Sequence, residues 1–202
     1  FDLNEFFKAK DKGENAKFKY LNEVQKWLEW IRGSFDPLLF EDLRQGNSKP
    51  PMPFSDIRLK KRLNHTVWFL PSVSSCYAMA NLLKERQNTF YNDFKIIVAA
   101  GSKAGIGIKA LPPVLEAMNP SPEETKTITL TCTKLLTGVS VKPWTGIFML
   151  RNTTSAQTYF QSAFRVQTPW RDQDNILKEE CYVFDFAPNR TLSLVSEYCK
   201  LD

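Results

Sequence analysis

Hydrophobic positions along the chain follow two rhythms, and the change between them divides it. In residues 17–33, KFKYLNEVQKWLEWIRG, Phe18, Leu21, Val24, Leu28 and Ile31 recur at three- and four-residue steps, with Gly33 as a stop. That spacing predicts an amphipathic helix. Residues 44–56, RQGNSKPPMPFSD, lose the rhythm, and their Pro, Gly and Ser content reads as a linker. Arg58, Lys60, Lys61 and Arg62 then form a basic cluster whose pattern is that of a solvated helix face. From His65 onward short apolar runs take over: TVWFL (66–70), FKIIVAA (94–100), KTITLTC (126–132), GIFML (146–150) and ECYVFDF (180–186). Each has strand length and is bounded by turn residues. Between them lie helical stretches: SSCYAMANLLKER, LPPVLEAM, TYFQSAFRV and, closing the chain, NRTLSLVSEYC.

Continuous apolar strands separated by helices predict a parallel sheet covered on both faces. The expected architecture is α/β, with residues 1–60 a helical segment and linker and residues 61–202 the sheet domain. In such sheets ligands gather in the loops after the strands.

Composition narrows the partners. A chain of 202 residues that is 43% hydrophobic and 13% aromatic collapses into a sizeable core. No apolar run reaches the roughly 18 residues of a membrane span, and a net charge of +5 favours a polyanionic partner. Cys76, Cys132, Cys181 and Cys199 form no CxxC pair, which predicts buried free thiols in a reducing cytoplasm. The one histidine, His65, rules out a multi-histidine metal site and opens a strand, a structural position. The chain starts FDLNEFF without an initiator methionine and is expected to be part of a longer polypeptide.

GSKAGIGIK (101–109) follows a strand and imitates a phosphate loop. It lacks GxxxxGK[ST], and the GxGxxA pattern from Gly105 to Ala110 runs into Leu111-Pro112-Pro113, so it reads as a flexible turn.

The segment TYFQSAFRVQTPW (158–170) carries Gln161 and Arg165 four residues apart on one helical face. Alone, such a pair reads as solvated. Its order in the chain changes that. VWFLPSVSSCYAMANLL (67–83), TLTCTKLLTGVSVKPWTGIFML (129–150) and YFQSAFRVQ (159–167) succeed one another as motifs IV, V and VI do. The succession resembles the second RecA-like lobe of superfamily 2 DEAD/DEAH-box helicases, with wording similar to the helicase portions of type I and type III restriction enzymes.

The resemblance implies a RecA-like, P-loop NTPase-type parallel sheet acting as half of an ATP-dependent DNA motor. A first RecA-like lobe, on other polypeptide, would hold most of the ATP and Mg²⁺. This lobe would supply an arginine finger from Arg165, with Gln161 beside it and Arg171 as the alternative. Such a finger must project from a rigid element, here helix 155–166 capped by Thr154 and Gln157, with Phe160, Ala163 and Phe164 in the core. The resemblance also implies nucleotide contacts from Thr137, Gly138 and Ser140. DNA-backbone contacts would come from Ser72 or Ser74 after the first strand and from Thr131, Cys132 or Thr133 after the third. Two positions depart from the family pattern: Ser140 stands where an Asp is common, and Thr168 where a second arginine is common. They favour an alternative, a degenerate lobe that only grips nucleic acid or protein. Trp144 and Trp170 flank the motifs and read as loop packing or, less simply, as base-stacking platforms.

Overall fold

The fold comes from a computed structural model, which describes residues 1–33, 52–101, 107–132, 135, 139–172, 175–187, 191–193, 195–196 and 199. Five parallel strands form the expected sheet: β1 (His65–Phe69), β2 (Lys95–Val98), β3 (Thr127–Thr131), β4 (Gly146–Met149) and β7 (Tyr182–Asp185), in the spatial order β2-β3-β1-β4-β7. The central strands β1, β3 and β4 are buried throughout, as strands covered on both faces must be. A separate two-stranded ribbon pairs β5 (Arg171–Asp172) with β6 (Asn175–Ile176) in antiparallel fashion. The mixed layers and all-parallel sheet are consistent with a RecA-like α/β fold.

Alternation along the strands sorts the core into two layers. Trp68, Ile128, Leu130 and Phe148 face one side. Against them pack α1 (Leu3–Phe6), α2 (Leu21–Ile31) and α4 (Val73–Leu83) through Leu3, Leu28 and Met79. Val67, Phe69, Ile147 and Met149 face the other side, covered by α5 (Pro112–Glu116), the loop before β4 and α6 (Ala156–Ala163). The β1–β2 crossover therefore runs over the first face, and the later connections over the second. That is where the doubly wound sheet changes direction, at β1.

The N-terminal rhythm is realised as α2, whose Val24, Trp27, Leu28 and Ile31 are buried, and Gly33 ends it at φ 82°. A Cβ at Gly33 would lie 2.2 Å from Ser55 Cβ, so this turn needs glycine for space as well as for conformation. The linker read at 44–56 is described only from Met52 on. Residues 34–51 lie outside the described residues, but Phe54, at the end of that stretch, is 2% exposed. Its ring stacks on Phe148 at 5.6 Å and 15°. Trp68 stacks on the same Phe148 at 4.9 Å, and Trp27 meets Trp68 edge-on at 5.8 Å. Phe54 thus ties the described end of that stretch, residues 52–56, to the sheet.

Helix α3 (Ile57–Arg62) buries none of its residues, as expected of a solvated basic face. Arg58 pairs with Asp56 at 3.0 Å, and Arg62 with Glu179 at 2.6 Å. All four cysteines are free thiols, but only Cys76 and Cys132 are buried, while Cys181 is half-buried and Cys199 exposed. His65 is buried, with Nδ1 2.9 Å from Thr127 Oγ1 and Nε2 2.6 Å from the Pro122 carbonyl. Of the closing helix read at 189–199, residues 191–193 and 195–196 are described and are helical. Among the described residues no helix is long and apolar enough to cross a membrane.

Candidate functional site

The residues singled out in the sequence lie at two opposite ends of the sheet. At the carboxyl ends of the strands, Ser72 caps α4: its Oγ accepts from Ser75 N at 3.1 Å and lies 2.8 Å from Ser75 Oγ. The helix cap is therefore Ser72 and not Ser74, which sits half-buried in the first turn. Ser72 itself is exposed. Thr131 ends β3, but its hydroxyl is buried and donates to the Ala99 carbonyl at 3.1 Å. Cys132 is buried too, and its thiol lies within bonding reach of Cys76, a contact that with burial raises the Cys76 pKa. Thr131 thus joins the ends of β3 and β2, and Cys132 meets α4; both are buried beneath the rim and do not present themselves to a DNA backbone. Thr133, Thr137 and Gly138 lie outside the described residues.

The helix that carries Gln161 runs the other way. A helix following a parallel strand must return antiparallel to it, and eight residues of α6 carry the chain about 12 Å back. Its end is fixed by Lys178, whose half-buried ammonium donates to the carbonyls of Lys142 (2.8 Å), Trp144 (3.0 Å) and Val166 (3.0 Å). Trp144 lies two residues before β4, so Val166 and its neighbour Arg165 sit at the amino edge of the sheet.

Helix α6 is capped by Ser155, whose Oγ accepts from Thr158 N at 3.3 Å, one position later than Thr154. The α-helix stops at Ala163 and tightens into a 3-10 turn over Phe164–Val166. Gln161 and Arg165 thus lie on either side of a change in helical pitch. Tyr159, Ser162 and Ala163 anchor the buried side, while Phe164, expected in the core, is 45% exposed. Arg165 is half-buried, and its Nη1 donates to the Val139 carbonyl at 2.9 Å. Its Nε is buried without a hydrogen-bond partner. Ser140, next to Val139, is exposed.

Arg171 is exposed at the start of the small ribbon. Beside that ribbon a cleft of about 420 Å³ opens at the amino edge, bordered by Lys61, His65, Thr145, Trp170, Ile176 and Glu179 among others. Trp170 is half-buried on its wall, whereas Trp144 is fully buried, as loop packing requires.

Sequence reasoning passed over Arg151. It stands two residues after β4, in one of the loops where a parallel sheet places its ligands. Its guanidinium lies over the Phe69 ring, 4.9 Å from the centroid, and Nη1 donates to the Cys132 carbonyl at 2.9 Å. The signal was its position directly after GIFML.

No family model matches the chain. It is similar to a Mycoplasma pneumoniae protein provisionally described as the C-terminus of a type II restriction enzyme and methyltransferase. The two are 39% identical over 160 residues, which is 79% of this chain and 22% of that protein. The similarity is to a restriction-modification protein described as type II, where the motif wording pointed to type I and type III enzymes, and its description names no helicase.

Proposed function

We propose that the chain is the second motor lobe of an ATP-dependent DNA translocase within a restriction-modification enzyme. The observation that carries this reading is the bond from Arg165 to the Val139 carbonyl, which ties the YFQSAFRVQ helix to the GVSV loop. These are the two segments that a motor lobe uses together at the nucleotide. The relative's description supports the DNA-processing context.

The residues present fit a nucleoside triphosphate at one point. Arg165 is half-buried, with its guanidinium already oriented by a carbonyl, an arrangement suited to receiving a phosphate oxygen. ATP with Mg²⁺, held chiefly by a first lobe, would supply the phosphoryl group. Arg165 stabilises negative charge on it, Gln161 flanks it, and Ser140 on the exposed loop contacts the nucleotide. Ser72 and the carboxyl rim meet the DNA backbone. Residues 1–33, together with Phe54, belong to this lobe as a cover for one face of its sheet.

Substituting Arg165→Ala in the full-length polypeptide tests this. A finger of this kind contributes about 10³–10⁵ in rate, so DNA-stimulated ATP turnover should fall by at least a hundredfold, with Arg171→Ala as the comparison. Unchanged turnover in both variants overturns the motor reading. The second reading, a module that only grips DNA, would then stand; it is favoured by the neutral, exposed Ser140 where an acid is common.

A further inference from the structure

We propose that the cleft at the amino edge of the sheet receives an unpaired nucleobase of single-stranded nucleic acid, stacked on Trp170. This deepens the nucleic-acid partner of the proposed function and rests on that part of it alone. The cleft, of about 420 Å³, lies among the residues that lead into β1, β3 and β4, with α3 and the β5–β6 ribbon at its sides. Pockets for small organic groups begin at about 300 Å³, so one base and its sugar fit.

Trp170 is held as a platform. Its carbonyl accepts from Leu177 N at 3.0 Å and from Lys178 N at 3.2 Å, so the ribbon fixes the backbone that carries the ring. The indole is half-buried on the cleft wall. Among the described residues no aromatic ring packs on it and no group bonds its Nε1. An aromatic face left open in a cleft accepts any base, since every base has a π-face. Ile176 on the ribbon, 53% exposed, and Pro143 extend the apolar lining.

Most polar groups on the floor are already engaged. Both ring nitrogens of His65 have partners, and the Lys178 ammonium serves three carbonyls. Thr145 Oγ1 donates to the carbonyls of Arg62 and His65. Asn64 is the exception. Its side chain borders the cleft one residue before β1, half-buried and without a hydrogen-bond partner among the described residues. A carboxamide donates and accepts along one edge, as the edge of a base does.

Charge distinguishes a strand from a free nucleotide. Lys61, Arg62 and Lys178 are matched by Glu123, Glu179 and Glu180, and Arg62 pairs with Glu179 at 2.6 Å. A cleft so balanced suits a neutral base and does not gather a polyphosphate. At the α3 rim, Lys61 is exposed and has no ionic partner among the described residues, a place for the charge of one phosphodiester.

The test is anisotropy-detected binding of a fluorescein-labelled single DNA strand of about ten nucleotides to the full chain, without nucleotide, beside an abasic strand of the same length. Trp170→Ala should weaken binding of the ordinary strand about fivefold or more, the low end for stacking on one aromatic side chain, and leave the abasic strand unchanged. Trp170→Phe keeps a stacking face and should recover most of that loss. Asn64→Ala covers the case in which Trp170→Ala does not fold. It should weaken the ordinary strand about threefold, the loss of one hydrogen bond, and again spare the abasic strand. Wild-type affinity for the ordinary strand in a folded Trp170→Ala, or in Asn64→Ala where the other does not fold, overturns the proposal. So does an equal loss on both strands, a phenylalanine variant as weak as the alanine one, or a wild type that binds no strand. A fluorescent ATP analogue should bind Trp170→Ala as it binds the wild type; a loss confined to the analogue gives the cleft to the nucleotide and overturns the proposal too. The motor reading is judged by ATP turnover in Arg165→Ala, so each can fail without the other.

Discussion

His65 shows what a single buried side chain does in this fold. Its Nε2 must carry the proton given to the Pro122 carbonyl, so the neutral ring accepts at Nδ1 from the Thr127 hydroxyl. Burial lowers its pKa from the ordinary value of about 6.5. The unfolded chain therefore binds a proton more readily than the folded one just below pH 6.5. Stability from this residue is fully present above that pH and declines as pH falls toward the folded value, below which it levels off. Thermal melting followed between pH 5 and 7 should show this decline, and His65→Gln should be less stable overall with a flatter profile. An equally steep profile in the variant would assign the dependence to another group. Glu5 stays ionised throughout that range, since Lys19, Lys8 and Tyr20 bond its carboxylate and hold it at about 2.

Among the elements, α6 and the loop before β4 form one unit through Lys178. Its ammonium gives its three protons to three carbonyls, two on the loop and one at the helix end. Lys178→Met keeps the stem and leaves those carbonyls unserved, which costs about 1–3 kcal/mol. Urea denaturation should find the loss, and on the proposed motor reading DNA-stimulated turnover should fall as well, because Arg165 would no longer be set against Val139. A variant as stable as the wild type would show that the carbonyls find water instead. The strands were legible because continuous apolar runs have few other homes in a chain with this alternation. The cap of α6 was read one residue early, since adjacent Thr154 and Ser155 both carry capping hydroxyls. Which end of the sheet each candidate occupies was not legible. Motif order places residues along the chain, but only the length and return direction of α6 carry Arg165 to the edge opposite Ser72. Arg151 escaped notice because a single arginine after a strand has no pattern until Phe69 and Cys132 are seen beneath it.

For the molecule as a whole, the N-terminal segment is part of the sheet's core. An amphipathic pattern announces that α2 has a buried face, but not what it covers, and one phenylalanine in a Pro-rich stretch does not outweigh its surroundings. In the fold, Phe54 fills the space between Phe148, Tyr91 and Phe94. Phe54→Ala should cost about 3–5 kcal/mol, the usual loss for a buried phenylalanine, read as a lower urea midpoint. A loss below about 1 kcal/mol, well under that range, would mean that the stretch is a tether after all. The first residues add one more consequence. Asp2 and Asn4 hold Asn152, through bonds of 2.7 and 2.9 Å, while the Phe1 ring is 85% exposed. The first helical turn is thereby clasped to the loop beyond β4, so a probe carried on the exposed side chain at position 1 senses that loop while leaving the interior undisturbed.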